Sequence, residues 1–152
     1  MAEKSRPKVG VGVYILNGHN QVLMLLEHRP DSGDTWAPPG GHLAFDEQFL
    51  DCVKRETREE TDLEVHDAEL WAINNNISVP NDRFSHYVNL DFLVNSFEGS
   101  PKIMGPKKCK KIDWFNLNSL LEPLLRAPQN FFNNNPKCLC RSGKKFLDCH
   151  GK

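Results

Sequence analysis

Gly40–Leu63 reads GGHLAFDEQFLDCVKRETREETDL. The stretch opens on two glycines and runs into a densely charged segment, which predicts a helix from Asp46 or Glu47 to about Thr61. Positions i, i+3 and i+4 share a helix face, so Glu56, Glu59 and Glu60 project to one side within about one turn. Leu50, Val53, Thr57 and Thr61 fall on an adjoining side and predict a buried stripe. Three crowded carboxylates repel one another. A solvated surface helix tolerates that crowding, and a hard cation such as magnesium or manganese makes use of it.

The longer pattern separates these two readings. From Gly41 there are five residues, Glu47, seven residues, and then Arg55-Glu56-Thr57-Arg58-Glu59-Glu60-Thr61-Asp62-Leu63. This resembles the Nudix box, Gly-x5-Glu-x7-Arg-Glu-U-x-Glu-Glu-x-Gly-U, where U is a bulky aliphatic residue. Every charged position matches. Thr57 is a mild departure, and Asp62 stands where the box ends in glycine. Aspartate tolerates the left-handed conformation that such a glycine adopts.

The resemblance covers about Pro7 to Arg126. It implies an α/β fold, with a mixed twisted sheet sandwiched between helices and the box as a loop–helix–loop. It also implies hydrolysis of a nucleoside diphosphate linked to another moiety, with water attacking phosphorus. By the same resemblance, the carbonyl of Gly40 and the side chains of Glu56, Glu59 and Glu60 bind magnesium or manganese. Glu56 or Glu59 acts as general base, and Arg55 orients a glutamate through a charged hydrogen bond. Glu47 is read as a supporting residue. Short echoes at Ser85-His86-Tyr87-Val88 and Pro106–Phe115 are similar to a branch that includes nucleoside triphosphate diphosphatases. Many relatives add a glutamate just before the Pro-x-x-Cys segment. Here that stretch is Lys102-Ile103-Met104-Gly105-Pro106-Lys107-Lys108, without a carboxylate, so either the site works with fewer ligands, or Glu98 or Asp113 substitutes from nearby, or catalysis is feeble.

Working outward, Lys8–Leu16 alternates Val9, Val11, Val13 and Ile15 on one face and predicts a strand. Asn17–Asn20 predicts a turn into a second strand at Gln21–His28, so a hairpin is expected. Arg29–Thr35 and Ser78–Arg83 read as loops, Leu63–Asn76 and Phe84–Phe97 as extended chain, and Ile112–Phe115 as a short strand. Asn118 or Ser119 is expected to cap a helix reaching about Arg126, with Pro123 in its first turn. Trp36, Phe84, His86 and Tyr87 are candidates to stack on a base or to pack in the core. Lys107 and Lys108 are candidates to touch phosphates or to form a solvated basic loop.

The 152 residues fit one domain with a small appendage, and the net charge of −1 argues for neither nucleic acid nor membrane as partner. No apolar run nears the ~20 residues of a membrane span, and MAEKSRPK lacks the apolar core of a secretory signal. A cytoplasmic location is the expectation. Of the five cysteines, Cys138, Cys140 and Cys149 crowd the last fifteen residues, whereas Cys52 and Cys109 read as buried thiols without a role. After the Asn133–Pro136 linker, Cys138-x-Cys140-x8-Cys149-His150 offers three sulfurs and an imidazole, a common set for tetrahedral zinc. So short a segment cannot bury a core and would be organised by its metal.

The tail resembles the SEC-C motif, Cys-Pro-Cys-Gly-Ser-Gly-Lys-Lys-x4-Cys-[Cys/His], with Leu139 and Arg141 in place of its proline and glycine. In such modules the zinc is structural and a basic face docks a protein partner. The expected organisation is a catalytic domain at 1–132 and a linker with a zinc-binding knuckle at 133–152. The leading expectation is a magnesium-dependent pyrophosphohydrolase converting a nucleoside triphosphate to the monophosphate and pyrophosphate. ADP-ribose and dinucleoside polyphosphates are the alternative substrates. A weakly catalytic nucleotide-sensing module with a partner-recruiting tail is the alternative from another class.

Overall fold

A computed structural model describes residues 6–30, 32–78, 85–120 and 122–151. The elements are β1 (Lys8–Tyr14), β2 (Gln21–Arg29), β3 (Gly33–Ala37), β4 (Gly40–His42), α1 (Phe49–Thr61), β5 (Glu64–Ser78), β6 (Ser85–Glu98), β7 (Cys109–Asn116) and α2 (Arg126–Asn133). A single 3-10 turn follows at Phe146–Asp148. The strands form a four-stranded sheet in the order β4-β1-β6-β5 and a three-stranded sheet in the order β3-β2-β7. β1 runs parallel to β6, with Val11 opposite Leu90 and Gly12 opposite Asp91. Its other neighbour, β4, is antiparallel.

The period-2 alternation of β1 decides how the layers assemble. Val11 and Val13 face α1 and join Leu90, Phe92, Cys52, Val53 and Leu63 in one buried cluster. Gly10, Gly12 and Tyr14 face the other way. On that side Tyr14, Leu93, Phe131 and Phe132 pack with Cys138, Leu139 and Phe146 of the C-terminal segment. The mixed sheet thus lies between α1 on one side and α2 with the tail on the other, which is the expected α/β sandwich.

Several boundaries differ from the sequence reading. The expected β1–β2 hairpin exists only at its base, where Leu16 bridges Val22. Beyond that bridge the strands diverge into different sheets, because each has a partner with a longer matching register, β6 for β1 and β7 for β2. α1 starts at Phe49 rather than Asp46 or Glu47. Asp46 is left-handed at φ 61°, and the Glu47 carboxylate accepts the Ala44 N–H at 2.9 Å, so a turn occupies this position. The second helix begins at Arg126 instead of spanning Ser119–Arg126. The backbone around Pro123–Leu125 is committed to Trp36: Trp36 donates to the Pro123 carbonyl at 2.8 Å, and Leu125 donates to the Trp36 carbonyl at 2.9 Å. Chain bonded in this way is extended. Pro128, not Pro123, sits in the first helical turn, where a missing N–H costs nothing. β3 begins inside the expected Arg29–Thr35 loop. The 79–83 part of the other expected loop, and Phe84, lie outside the described residues.

Asp62 ends α1 in the left-handed conformation at φ 61°, and its N–H reaches the Arg58 carbonyl at 3.0 Å. The aspartate therefore does the work of the absent glycine. Val53, Thr57 and Thr61 are buried as expected, while Leu50 is only half-buried and Cys52 takes its place in the stripe. The Thr57 hydroxyl is buried without a hydrogen-bond partner among the described residues.

Candidate functional site

A cleft of about 530 Å³ opens between the two sheets and the N-terminal end of α2. Gly40, Gly41, Glu60 and Glu27 line one end of it, and Gly12, Tyr14, Asn76 and Asp91 line another part. The glutamates of the box differ sharply in their surroundings. Glu56 and Glu60 are mostly enclosed, with side chains 12% and 16% exposed, whereas Glu59 is 58% exposed.

Arg55 organises the box. It donates to Glu47 at 2.7 and 3.0 Å, to Glu56 at 2.8 Å and to the His42 carbonyl at 3.0 Å, and it reaches Glu59 at 3.4 Å. This two-armed clasp uses the fixed fork of guanidinium donors. The hydrogen bond from Arg55, then the Ala44 N–H, hold the Glu47 carboxyl down at about 2. Glu47 thus anchors Arg55, and Arg55 aims Glu56 at the Gly40–Gly41 start of β4. The approach is close enough that a Cβ on Gly41 would lie 2.4 Å from the Glu56 carboxylate. A glycine at this point is a steric requirement.

Glu60 faces the other wall, where Oε2 accepts the Gly40 N–H at 3.1 Å. Burial first, and the neighbouring Glu27 second, push its carboxyl up to about 8, against the lowering effect of Gly40 and Lys108. Glu27 is the residue the sequence reading missed. It lies on β2, its side chain is 5% exposed, and Arg29 pairs with it at 2.9 Å. Lys108 Nζ sits 3.7 Å from Glu27 and 3.9 Å from Glu60. A carboxylate therefore does enter this wall, but from β2. The available signal was Glu27 interrupting the apolar run Val22–Leu26, where a buried acid has no hydrophobic reason to be. Neither proposed substitute reaches the wall. Glu98 is exposed and pairs with His66 at 2.6 Å, and the exposed Asp113 accepts the N–H of Trp114. The Lys108 ammonium touches both carboxylates, while Lys107 is exposed.

Of the aromatic candidates, Trp36 is core, edge-on to Phe115 with ring centroids 4.8 Å apart. His86 points away from the cleft and meets Asn75 at 2.6 Å. Tyr87 lines the cleft and its hydroxyl meets His42 at 2.9 Å.

The C-terminal cysteines and histidine come together. Their ligating atoms lie within 4.8 Å of one another, the one such group of three or more among the described residues. Cys138 and Cys149 each lie 3.2 Å from His150 Nδ1, and Cys140 lies 3.6 Å from Cys149. A tetrahedral zinc with sulfur at about 2.3 Å has ligand–ligand edges of about 3.5–3.8 Å, close to these three spacings. Burial pushes the Cys138 thiol up to about 12, so this sulfur favours its neutral form until a cation is present. Arg141 occupies the position where the resembled motif has glycine, and it is left-handed at φ 64°. Its guanidinium pairs with Glu69 at 2.9 Å, donates to Asn95 and lies over the Trp71 ring, which holds this strained residue in place.

The comparisons agree with this geometry. The NUDIX domain family model matches residues 6–134. A zebrafish (Danio rerio) protein named m7GpppN-mRNA hydrolase NUDT17 is 39% identical over 66 residues, covering 41% of this chain and 22% of the relative. Nudix hydrolase 8 of Arabidopsis thaliana is 27% identical over 128 residues, covering 82% of this chain and 34% of the relative. The chain thus spans about a third or less of the length of these curated relatives. A MutT NUDIX hydrolase from Burkholderia pseudomallei superposes with a TM-score of 0.76 at 28% identity, covering 82% of this chain and 95% of that one. With the box helix, the arginine clasp and the two-sheet sandwich in place, the chain belongs to the NUDIX domain family.

Proposed function

We propose that the chain is a divalent-cation-dependent pyrophosphohydrolase of nucleotides, releasing the monophosphate and pyrophosphate from a nucleoside triphosphate. One observation carries the reading: a single cleft joins the glutamate wall of Glu27 and Glu60 to the polar pocket of Asn76 and Asp91. A polyphosphate and a polar head group fit that sequence of surroundings. The residues suit a hard cation, because burial first and the neighbouring Glu27 second raise the Glu60 carboxyl to about 8, and a cation would offset both. Magnesium or manganese would be held by Glu56, Glu60 and the Gly40 carbonyl, with Glu59 at the rim and Glu27 beside them. When bound, such an ion neutralises phosphate charge and lowers the pKa of attacking water.

The chain's own residues supply the remainder. Arg55 and Glu47 hold Glu56 in place. Lys108 balances the negative wall and is placed to meet phosphate oxygens. Glu59 is exposed and tethered only at 3.4 Å, so it retains the freedom to take a proton from water. The tail would carry a structural zinc on Cys138, Cys140, Cys149 and His150, with no open position for chemistry. The name of the zebrafish relative favours a dinucleoside polyphosphate over ADP-ribose as the second substrate reading.

The test is a screen of nucleoside triphosphates, ADP-ribose and dinucleoside polyphosphates with magnesium or manganese, following released phosphate and pyrophosphate. Turnover is expected with wild type and a loss of at least a hundredfold with Glu60→Gln. Hydrolysis by Glu60→Gln at the wild-type rate would overturn the assignment of the glutamate wall.

A further inference from the structure

The glutamate wall of the cleft already has a cation against it, and that cation belongs to the chain. Lys108 Nζ lies 3.7 Å from Glu27 Oε2 and 3.9 Å from Glu60 Oε1, so one ammonium spans two carboxylates whose side chains are only 5% and 16% exposed. Arg29 brings a second positive charge to Glu27 Oε2 at 2.9 Å. The other oxygen of Glu60, Oε2, accepts the Gly40 N–H at 3.1 Å. Three of the four carboxylate oxygens of this pair are therefore engaged by the chain itself.

The backbone holds Lys108 at this place. Its N–H donates to the Gly105 carbonyl at 3.1 Å, and its carbonyl accepts the His28 N–H at 3.1 Å. The next residue, Cys109, donates to the same Gly105 carbonyl at 2.9 Å and stands opposite Glu27 in the β2–β7 ladder. The ladder shifts register between Leu26 and Glu27, at the same point. The segment that carries no carboxylate thus delivers an ammonium to the wall instead.

Glu56 is placed differently. Arg55 touches its Oε1 at 2.8 Å, but the charge of Arg55 is already answered by the two oxygens of Glu47. Lys108 has no acid to answer it except Glu27 and Glu60 among the described residues. Repulsion between like charges falls only as the inverse of their distance, so an ammonium lying on both carboxylates opposes a divalent ion entering between them. The Glu56 side carries no such opposition.

We infer that Lys108 is a positioning residue that acts as a resident counter-cation: it fills the place between Glu27 and Glu60, confines divalent ions to the Glu56 side, and so sets how many ions the cleft takes up before a nucleotide arrives. The inference rests on the cation-dependent reading above and adds the ion count to it.

The test counts Mn²⁺ bound by the nucleotide-free chain, by electron paramagnetic resonance of the free ion and by calorimetry. Wild type is expected to hold one Mn²⁺ per chain. Lys108→Met keeps an unbranched stem and removes the charge, and it is expected to hold two. Lys108→Arg restores the charge and should return the count to one. Lys107→Met removes an equal charge from the exposed neighbour and should leave the count at one, which separates a local effect from one of net charge. The Lys108 side chain is 55% exposed, so its substitution leaves the core packing in place. Equal Mn²⁺ counts in wild type and Lys108→Met would overturn the role of the lysine while leaving the hydrolase reading intact. No ion in wild type and one in Lys108→Met would support the lysine and count against a divalent-dependent wild type. No ion in any of the four proteins would overturn the role of the lysine together with the wall as a cation site.

Discussion

Asn134, one residue past the end of α2, hydrogen-bonds Asn74 of β5 at 2.6 Å, and this contact is the first link of a relay that ends on Asp91 in the cleft. The residue therefore joins the cysteine-rich tail to the cleft. Trp71 adds a second tie by donating to the Lys137 carbonyl at 2.7 Å. Asn134→Ala is expected to destabilise the fold by about 1–3 kcal/mol, the cost of an orphaned buried amide. It should also raise KM more than it lowers kcat. Chemical denaturation and steady-state kinetics on the same preparation check both.

Removal of the zinc proposed for the tail should act on the whole fold, because Cys138, Leu139 and Phe146 pack in one cluster with Tyr14 and Phe132. One zinc per chain is expected in protein purified without chelator under reducing conditions. Stripping it, or Cys149→Ser, is expected to lower Tm by about 6–12 °C, equivalent to about 3 kcal/mol for a chain of this size. Elemental analysis and thermal unfolding provide the measurement. Zinc-free protein with unchanged Tm would refute the role.

Gly41→Ala places a methyl group 2.4 Å from the Glu56 carboxylate. The expected outcome is a fall in turnover of at least tenfold with less than about 1–3 kcal/mol lost in stability, since the carboxylate and not the core must move. Equal activity in the variant would mean that Glu56 has no fixed task.

Thr57 buries a hydroxyl that finds no partner among the described residues. Thr57→Val keeps the shape and removes the orphan, so a gain of about 1 kcal/mol, or about 2–4 °C in Tm, is expected. Hydrolysis should be unaffected.

The pH dependence of stability carries a signature of Asp91. Burial, partly offset by the hydrogen bond from Asn74, pushes its carboxyl up to about 7 from an ordinary value near 4. A carboxyl raised in the folded state is stabilising in its neutral form, fully so below about pH 4. That contribution is lost as pH rises toward 7. Unfolding free energy in wild type should therefore fall across pH 4–7 more steeply than in Asp91→Asn, by an amount on the order of 2–4 kcal/mol. Urea titrations of both proteins at a series of pH values check the sign.

Much of this was readable from the chain because it is encoded locally. The box is contiguous, so Glu56, Glu59 and Glu60 fall on one helix by counting alone. Asp62 could be assigned a left-handed cap because the box ends there. The four tail ligands lie within a thirteen-residue span and converge as their spacing implied. Apart from the start of α1, which a local turn at Asp46 delays, the main misses are long-range. Glu27 joins the wall only because β2 pairs with β7 and brings Lys108 beside it. The Pro123–Leu125 segment is extended only because Trp36, far earlier in the chain, claims its hydrogen bonds. Asp91 reads from sequence as a polar interruption in an apolar strand, and only the pairing of β6 with β5 and β1 shows what it faces. Helix periodicity could not place α2, since its apolar face is set by Tyr14 and the tail.

β1 contributes to the molecule as much by what it omits as by what it presents. Its valines build the core on one side, while Gly10 and Gly12 leave the other side bare beside Asp91 and Asn89. The capacity of the cleft is therefore held in two codons. A single change from glycine to alanine or serine at position 12 would collide with Asp91 and shrink the chamber without disturbing the strand's other face. Substrate range in this scaffold can thus drift by small steps in one strand while the glutamates on α1 stay fixed.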